Sequence, residues 1–304
     1  FTGWRHYEGM LDESPLRAAE AAAEAAAAAL KQGGCVVLTG CGTSGRVAHL
    51  VARRCNHLMP ADPCAFDYLI SGGDAALLLS DELPEDDPMA GATEISKVAA
   101  ERPPCFLIGI SCGLSAPYVA GQLDHALVAS DRFGAAAIGF NPASLSRNAP
   151  IAGLQSGGTF RDVATSLAVR GALLNPVVGP EAIAGSSRMK GGSATLILAD
   201  AVCYRALQLS RGEAAPSIAV AVGSAHEAVR TTYLHAHSIA TVCEAAGAAM
   251  RAGGRLYYVG EGAAGVLGCL DASEMPDTYG VPFDTVRGFV CGGWAAVANR
   301  EGDL

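Results

Sequence analysis

The stretch Thr39-Gly-Cys-Gly-Thr-Ser-Gly-Arg46 sets three glycines and three hydroxyl side chains within eight residues, a composition suited to holding an anion. Glycines let the backbone come close to a charged ligand, and a helix start contributes N–H donors. With Gly42, Thr43 and Ser44 at its centre, the loop suits a phosphate. Gly40 to Gly45 satisfies GxGxxG formally, but its Thr-Ser pair favours a small phosphate ester over a dinucleotide, and no GK[ST] ends it as in a Walker A loop. The plainer alternative is a tight strand–helix turn without a ligand.

A second hydroxyl-bearing loop, Ser111-Cys112-Gly113-Leu114-Ser115, precedes Ala116-Pro117, where proline suits a first helical turn. Capping by Ser115 would account for one serine and leave Ser111 and Gly113 unexplained. Further on, Gly185-Ser-Ser-Arg-Met-Lys190 opens an apolar helix that Ser186 or Ser187 could cap. Arg188 and Lys190 there oppose the helix dipole, an arrangement that makes sense if an anion or carboxylate lies beside them. The segment 80–87 carries five carboxylates in eight residues, Glu85 among them, and by itself reads as a solvated loop.

These loops need a frame that brings them together. Residues 16–33 read as an alanine-rich helix ended by Gly33 and Gly34, followed by a strand-length apolar run at 35–39. Further runs at 66–70, 105–110 and 135–140 alternate with helical patterns at 47–58 and 90–100. Buried runs separated by helices predict a doubly wound parallel α/β sheet covered on both faces, with its ligand at the carboxyl ends of the strands. A long helix at 191–209 and the break at 211–216 set a predicted boundary, giving domains 1–215 and 216–304. A helix over 225–250 and a strand over 256–259 then lead to a second glycine loop, in which Gly260, Gly262 and Gly265 repeat Gly40, Gly42 and Gly45 at a constant offset of 220. The chain is expected to start one fold twice, the second copy being incomplete, and the two halves to dock as a pseudo-dimer or the chain to form a homo-oligomer.

Composition narrows the function. Of 304 residues, 50% are hydrophobic, yet much of that is alanine, the mean hydropathy is +0.28, and no run of about 18 strongly apolar residues spans a bilayer. A formal charge of −9 gives no general attraction to nucleic acid or an anionic membrane, so neither is an expected partner. Ten cysteines lie scattered without a CxxC pair or a Cys/His cluster; they read as buried free thiols in a reducing compartment, with no metal and no cofactor expected. The first residue is Phe1, so the sequence is expected to be a fragment.

Taken together, LTGCGTSGR, YLISGGD, IGISCGLSAPYVAGQLD, GFNPASLSRN, NPVVGPEAIAGSSRMKGGSAT and DTVRGF resemble the family that joins the animal glucokinase regulatory protein with the bacterial N-acetylmuramic acid 6-phosphate etherases. The resemblance implies the sugar-isomerase (SIS) fold, present twice in the regulatory protein along with a helical lid whose lysine has no counterpart in these residues. It implies that Thr43 and Ser44 hold the phosphate of a fructose phosphate, that Ser111 to Gly113 contact it, and that Glu85 binds sugar hydroxyls. It implies as partner a hexokinase or glucokinase, in the cytoplasm or nucleus. The etherases use two glutamates, an acid and a base, for lactate elimination. Glu85 matches one; at the other the first half carries Arg54, and the second carries Glu274 behind a loop, Glu261-Gly-Ala-Ala-Gly265, that lacks the hydroxyls. A non-catalytic sugar-phosphate sensor is therefore the leading expectation, with an etherase or a sugar-phosphate isomerase as alternatives. Against an isomerase stands the lack of a clear catalytic histidine, since His49 reads as packing.

Overall fold

A computed structural model describes residues 2–59, 61–62, 64–77, 83–183, 187, 189–214 and 216–293. Ser80, Asp81 and Glu82 of the acidic segment, Ser186, Arg188 and the last eleven positions lie outside the described residues. The chain forms two compact units, Phe1–Gly72 with Glu82–Ala225, and Gly73–Asp81 with His226–Leu304.

In the first unit α1 (Glu13–Lys31) leads into β1 (Cys35–Gly40), α2 (Gly42–His57) and β2 (Phe66–Ile70). Then follow α3 (Pro88–Glu101), β3 (Cys105–Ile110), α4 (Pro117–Val128), β4 (Phe133–Ile138), α5 (Phe160–Val169), β5 (Leu173–Leu174) and α6 (Lys190–Arg211). The strands lie in the order β2-β1-β3-β4-β5, all parallel. Strand order reverses between β1 and β3, so the loops that follow those two strands flank the switch point, where open α/β sheets bind ligands.

β1 and β3 are buried at every position, because helices cover both faces. One core joins α1, α2 and α6 to Val36, Leu38, Phe106 and Ile108; the other joins α3, α4 and α5 to Cys35, Val37, Cys105 and Leu107. The alanines of α1 that pattern as helix bury one stripe, including Ala19, Ala22, Ala23, Ala26 and Ala27. Across that interface Glu20, on the polar margin, takes Arg205 Nε at 3.1 Å and the Ile218 N–H at 2.7 Å.

The strand expected over 135–140 runs instead over Phe133–Ile138, because the Phe140 N–H leaves the ladder for the Cys112 carbonyl at 2.9 Å. The single helix expected over 225–250 is two, α7 (Ile218–Tyr233) and α8 (Ala236–Arg251). Between them the N–H groups of Leu234 and His235 bond three residues back, to Thr231 and Thr232, a tightening that ends α7 without glycine or proline.

In the second unit β6 (Leu256–Gly260), α9 (Gly262–Tyr279) and β7 (Val286–Val290) repeat β1, α2 and β2 at the offset of 220 seen in the sequence. Gly40 pairs with Ile70, and Gly260 with Val290. φ is +47° at Gly42 and +52° at Gly262, and the positive φ of Gly72 and Gly73 recurs at Gly292 and Gly293. The Gly45 N–H reaches the Cys41 carbonyl at 3.4 Å, and the Gly265 N–H reaches the Glu261 carbonyl at 3.3 Å. The repeat is one of backbone geometry as well as of sequence.

Candidate functional site

The loop after β1 is shaped by close approach. A Cβ on Gly40 would stand 2.6 Å from Ser44 Cβ, and one on Gly45 would stand 2.4 Å from an Ile70 side-chain carbon, so neither position accepts a larger residue. Gly42 takes the left-handed conformation that glycine adopts without penalty, and α2 starts there, five residues earlier than its apolar pattern suggests. Thr43 and Ser44 thus stand in the first turn of a helix, at the end where the helix dipole favours an anion, while the Ser44 N–H itself turns to the Cys41 carbonyl. Both side chains are half-buried. Two residues on, Arg46 is wholly buried and engaged in an interaction.

Glu85 lies in a 3-10 turn, Leu83–Asp86, and its Oε1 is 3.6 Å from where a Cβ on Gly42 would stand. Its charge is felt at the loop. Burial first, then the Glu85 carboxylate, pushes the Cys41 thiol far above the ordinary range, so Cys41 stays neutral.

The loop after β3 meets the first loop through Cys112. Its Sγ lies 3.8 Å from Ser44 Oγ and 3.6 Å from Thr195 Oγ1, and Ser187 also offers its hydroxyl. Burial raises this thiol's pKa, the hydroxyls of Thr195, Ser44 and Ser187 oppose the shift, and Glu181 adds to it. Ser111 does a different task from its neighbour. Its Oγ accepts the N–H groups of Ser115 at 3.1 Å and Ala116 at 3.3 Å, closing the turn into α4. Ser115 is exposed, and the residue capping α4 is Ala116, with no side-chain cap, so the capping expected of Ser115 falls to Ser111. Gly113 sits where a Cβ would come 3.1 Å from Ser115 Oγ.

At the start of α6 the expected cap is also replaced. The Glu181 carboxylate accepts the N–H of Lys190 at 2.8 Å and of Gly191 at 2.7 Å, so a carboxylate does lie at this helix start, and it comes from the chain itself. Lys190 Nζ turns to the Pro180 carbonyl at 3.3 Å, and Ser187 is exposed. A Cβ on Gly191 would stand 3.3 Å from Cys112 Sγ, which brings α6 against the same crevice. Ser44, Cys112, Glu181, Ser187 and Thr195 therefore meet in one place, with Glu85 on the Gly42 side. Glu181 and Thr195 escaped the sequence reading. The signal for Glu181 was an acid nine residues before a basic helix start; Thr195, inside α6, gave none.

His49 is buried in α2, its ring edge-on to Tyr68 at 4.6 Å, and burial with the nearby Arg53 charge depresses its pKa to about 4. It is a neutral packing residue. Arg54 sits on the last turn of α2, its Nη1 3.0 Å from both carboxylate oxygens of Asp200 in α6. At 1.5 Å per residue it is about 15 Å along the helix from Ser44. Glu274 occupies the matching turn of α9 and is likewise engaged in an interaction. Among the described residues no helix is long and apolar enough to cross a membrane, and no group of three or more His, Cys, Asp or Glu is placed to hold a metal ion.

Residues 18–127 match a family model described as the glucokinase regulatory protein N-terminal SIS domain, and residues 233–304 match its second SIS domain. The chain is 40% identical over 316 residues to the glucokinase regulatory protein of Xenopus laevis, covering 98% of this chain and 50% of that protein. It is 37% identical over 310 residues to the human glucokinase regulatory protein, covering 98% and 49%. Over 169 residues it is 37% identical to an N-acetylmuramic acid 6-phosphate etherase of Jannaschia sp., covering 55% and 46%. The chain thus spans about half the length of the curated relatives it matches.

Proposed function

The chain belongs to the glucokinase regulatory protein family, and from that premise we propose that its first SIS domain binds a fructose monophosphate, fructose 6-phosphate or fructose 1-phosphate, and so regulates a hexokinase-type partner as a sensor and inhibitor. The observation that carries this reading is the convergence of Ser44, Cys112 and Thr195 at the switch point, with the Glu85 carboxylate beside Gly42. Hydroxyls and a helix start receive the phosphate, while a carboxylate accepts from sugar hydroxyls and repels a second anion. Thr43, Gly113, Ser187 and Lys190 complete the proposed contact set, with Arg188 carried from the motif alone. Ser111 contributes through its remaining O–H, since its oxygen already serves the α4 turn.

Calorimetric titration of the chain with each fructose phosphate tests the reading. Binding in the micromolar to millimolar range supports it, and no heat at millimolar ligand rejects it. Partner regulation is tested by adding the chain to a glucokinase assay with and without the bound sugar. The ten free thiols fit a reducing, cytoplasmic or nuclear setting.

The etherase alternative draws on the similarity to the bacterial enzymes and on Glu274. Its first-half acid position is occupied by Arg54, which is committed to Asp200. Release of D-lactate from N-acetylmuramic acid 6-phosphate separates the two readings directly.

A further inference from the structure

The far end of the first unit's sheet carries a second feature. β5 pairs with β4 only at Ala137 and Ile138, so among the described residues Phe133 to Ala136 have an open edge. The N–H groups of Ala137 and Gly139 point to the β5 side, toward the carbonyls of Ala172 and Leu174. Because backbone groups alternate along a strand, the N–H and C=O of Ala135 face the same side, past the end of β5, with no backbone partner there among the described residues.

A cavity of about 230 Å³ lies at that edge, walled by Ala22, Phe106, Leu127, Ala135 and Ala172. Its one charged lining residue is Arg170, exposed at the end of α5, whose guanidinium makes no hydrogen bond or ion pair among the described residues. Apolar cavities of about 150 Å³ hold benzene, so this one takes a ring with a short chain. An extended peptide would need a longer ledge than four residues of open strand. A planar guanidinium beside an apolar wall matches a carboxylate in two-point geometry, and the Ala135 N–H adds a further donor.

We propose that this cavity is a binding site for a small apolar carboxylate, its charged end on Arg170 and its ring or alkyl body against Phe106 and Leu127. It lies at the amino ends of the strands, the opposite end of the sheet from the Ser44 loop, and does not depend on the sugar-phosphate reading.

The probe is 3-phenylpropionate, with its uncharged amide as control, titrated into the whole chain and followed by ligand-observed NMR. The acid is expected to bind with a Kd of about 1 mM, as befits a fragment of this size, and the amide about tenfold more weakly. Arg170→Gln should remove the difference by weakening the acid alone. Ala25→Phe, at an exposed position of α1 on the cavity wall, should abolish binding of both while leaving fructose phosphate binding unchanged. Equal affinity for acid and amide, no binding of the acid at 20-fold above that Kd (about 20 mM), or binding indifferent to either substitution would overturn the assignment.

Discussion

The Ser44 hydroxyl and the Cys112 thiol stand 3.8 Å apart, joining the loop after β1 to the loop after β3 across the switch point of the sheet. Neither group is needed by the ladder of α2, because the Ser44 N–H, not its side chain, reaches the Cys41 carbonyl at 3.0 Å. Ser44→Ala should therefore weaken fructose phosphate binding by about 1.5–3 kcal/mol, the scale of a lost hydrogen bond to a charged group, and leave the melting temperature nearly unchanged. Calorimetry on the folded variant decides; unaltered affinity would move the site away from this loop.

Glu85→Gln should cost sugar binding far more than binding of inorganic phosphate, because a carboxylate beside the glycine loop accepts from sugar hydroxyls and repels the anion. Removing a charge from an anion site tends to leave phosphate affinity unchanged or higher. Paired titrations with fructose 6-phosphate and phosphate test this. Equal losses for both ligands would show that Glu85 acts only on the loop's shape.

Arg54→Glu should destabilise the first unit by about 1 kcal/mol and yield no lactate. The pair it breaks is only partly shielded, with Arg54 59% and Asp200 26% exposed, so the pair itself is worth little, but the change sets two carboxylates against each other. Burial already pushes the Asp200 carboxyl up, and Arg54 is what holds it down. Urea denaturation and a lactate assay together check the outcome. Lactate released by this variant would mean that the last turn of α2 reaches the substrate after all.

Acid should weaken the fold through His49. Its pKa of about 4 lies below the ordinary 6.5, so between those values the unfolded chain takes up a proton that the folded chain refuses. Stability from this group is full above pH 6.5 and falls as pH drops toward 4, by about 2 kcal/mol between pH 7 and pH 5. His49→Gln should flatten that slope in denaturation curves measured at the two pH values. An unchanged slope would assign the loss to other groups.

Much of this protein was legible along the chain. The apolar runs that became β1, β2 and β3, the glycine loop at Gly40 to Gly45 and its echo at Gly260 to Gly265 are local patterns, and local patterns follow from backbone sterics and burial on two faces. β5 was not legible, because two residues carry no period. The break between α7 and α8 was missed because three-residue hydrogen bonds, rather than a glycine or proline, end the first helix.

The site divides in the same way. The hydroxyls of Thr43, Ser44, Ser111 and Ser187 could be picked out as residue types, but not the different tasks that packing assigns them. Only the tertiary structure places Ser111 Oγ on the α4 turn, Cys112 among three hydroxyls, Glu181 on the start of α6, and Arg54 on Asp200 across 146 residues. A polar side chain takes whichever partner the packed helices bring within about 3 Å, and which partner that is depends on how elements distant in sequence cross. The motif in the sequence therefore determined where a glycine loop would join β1 to α2, while the packing of α2 against α6 decided which of its neighbours face the crevice and which hold the helices together.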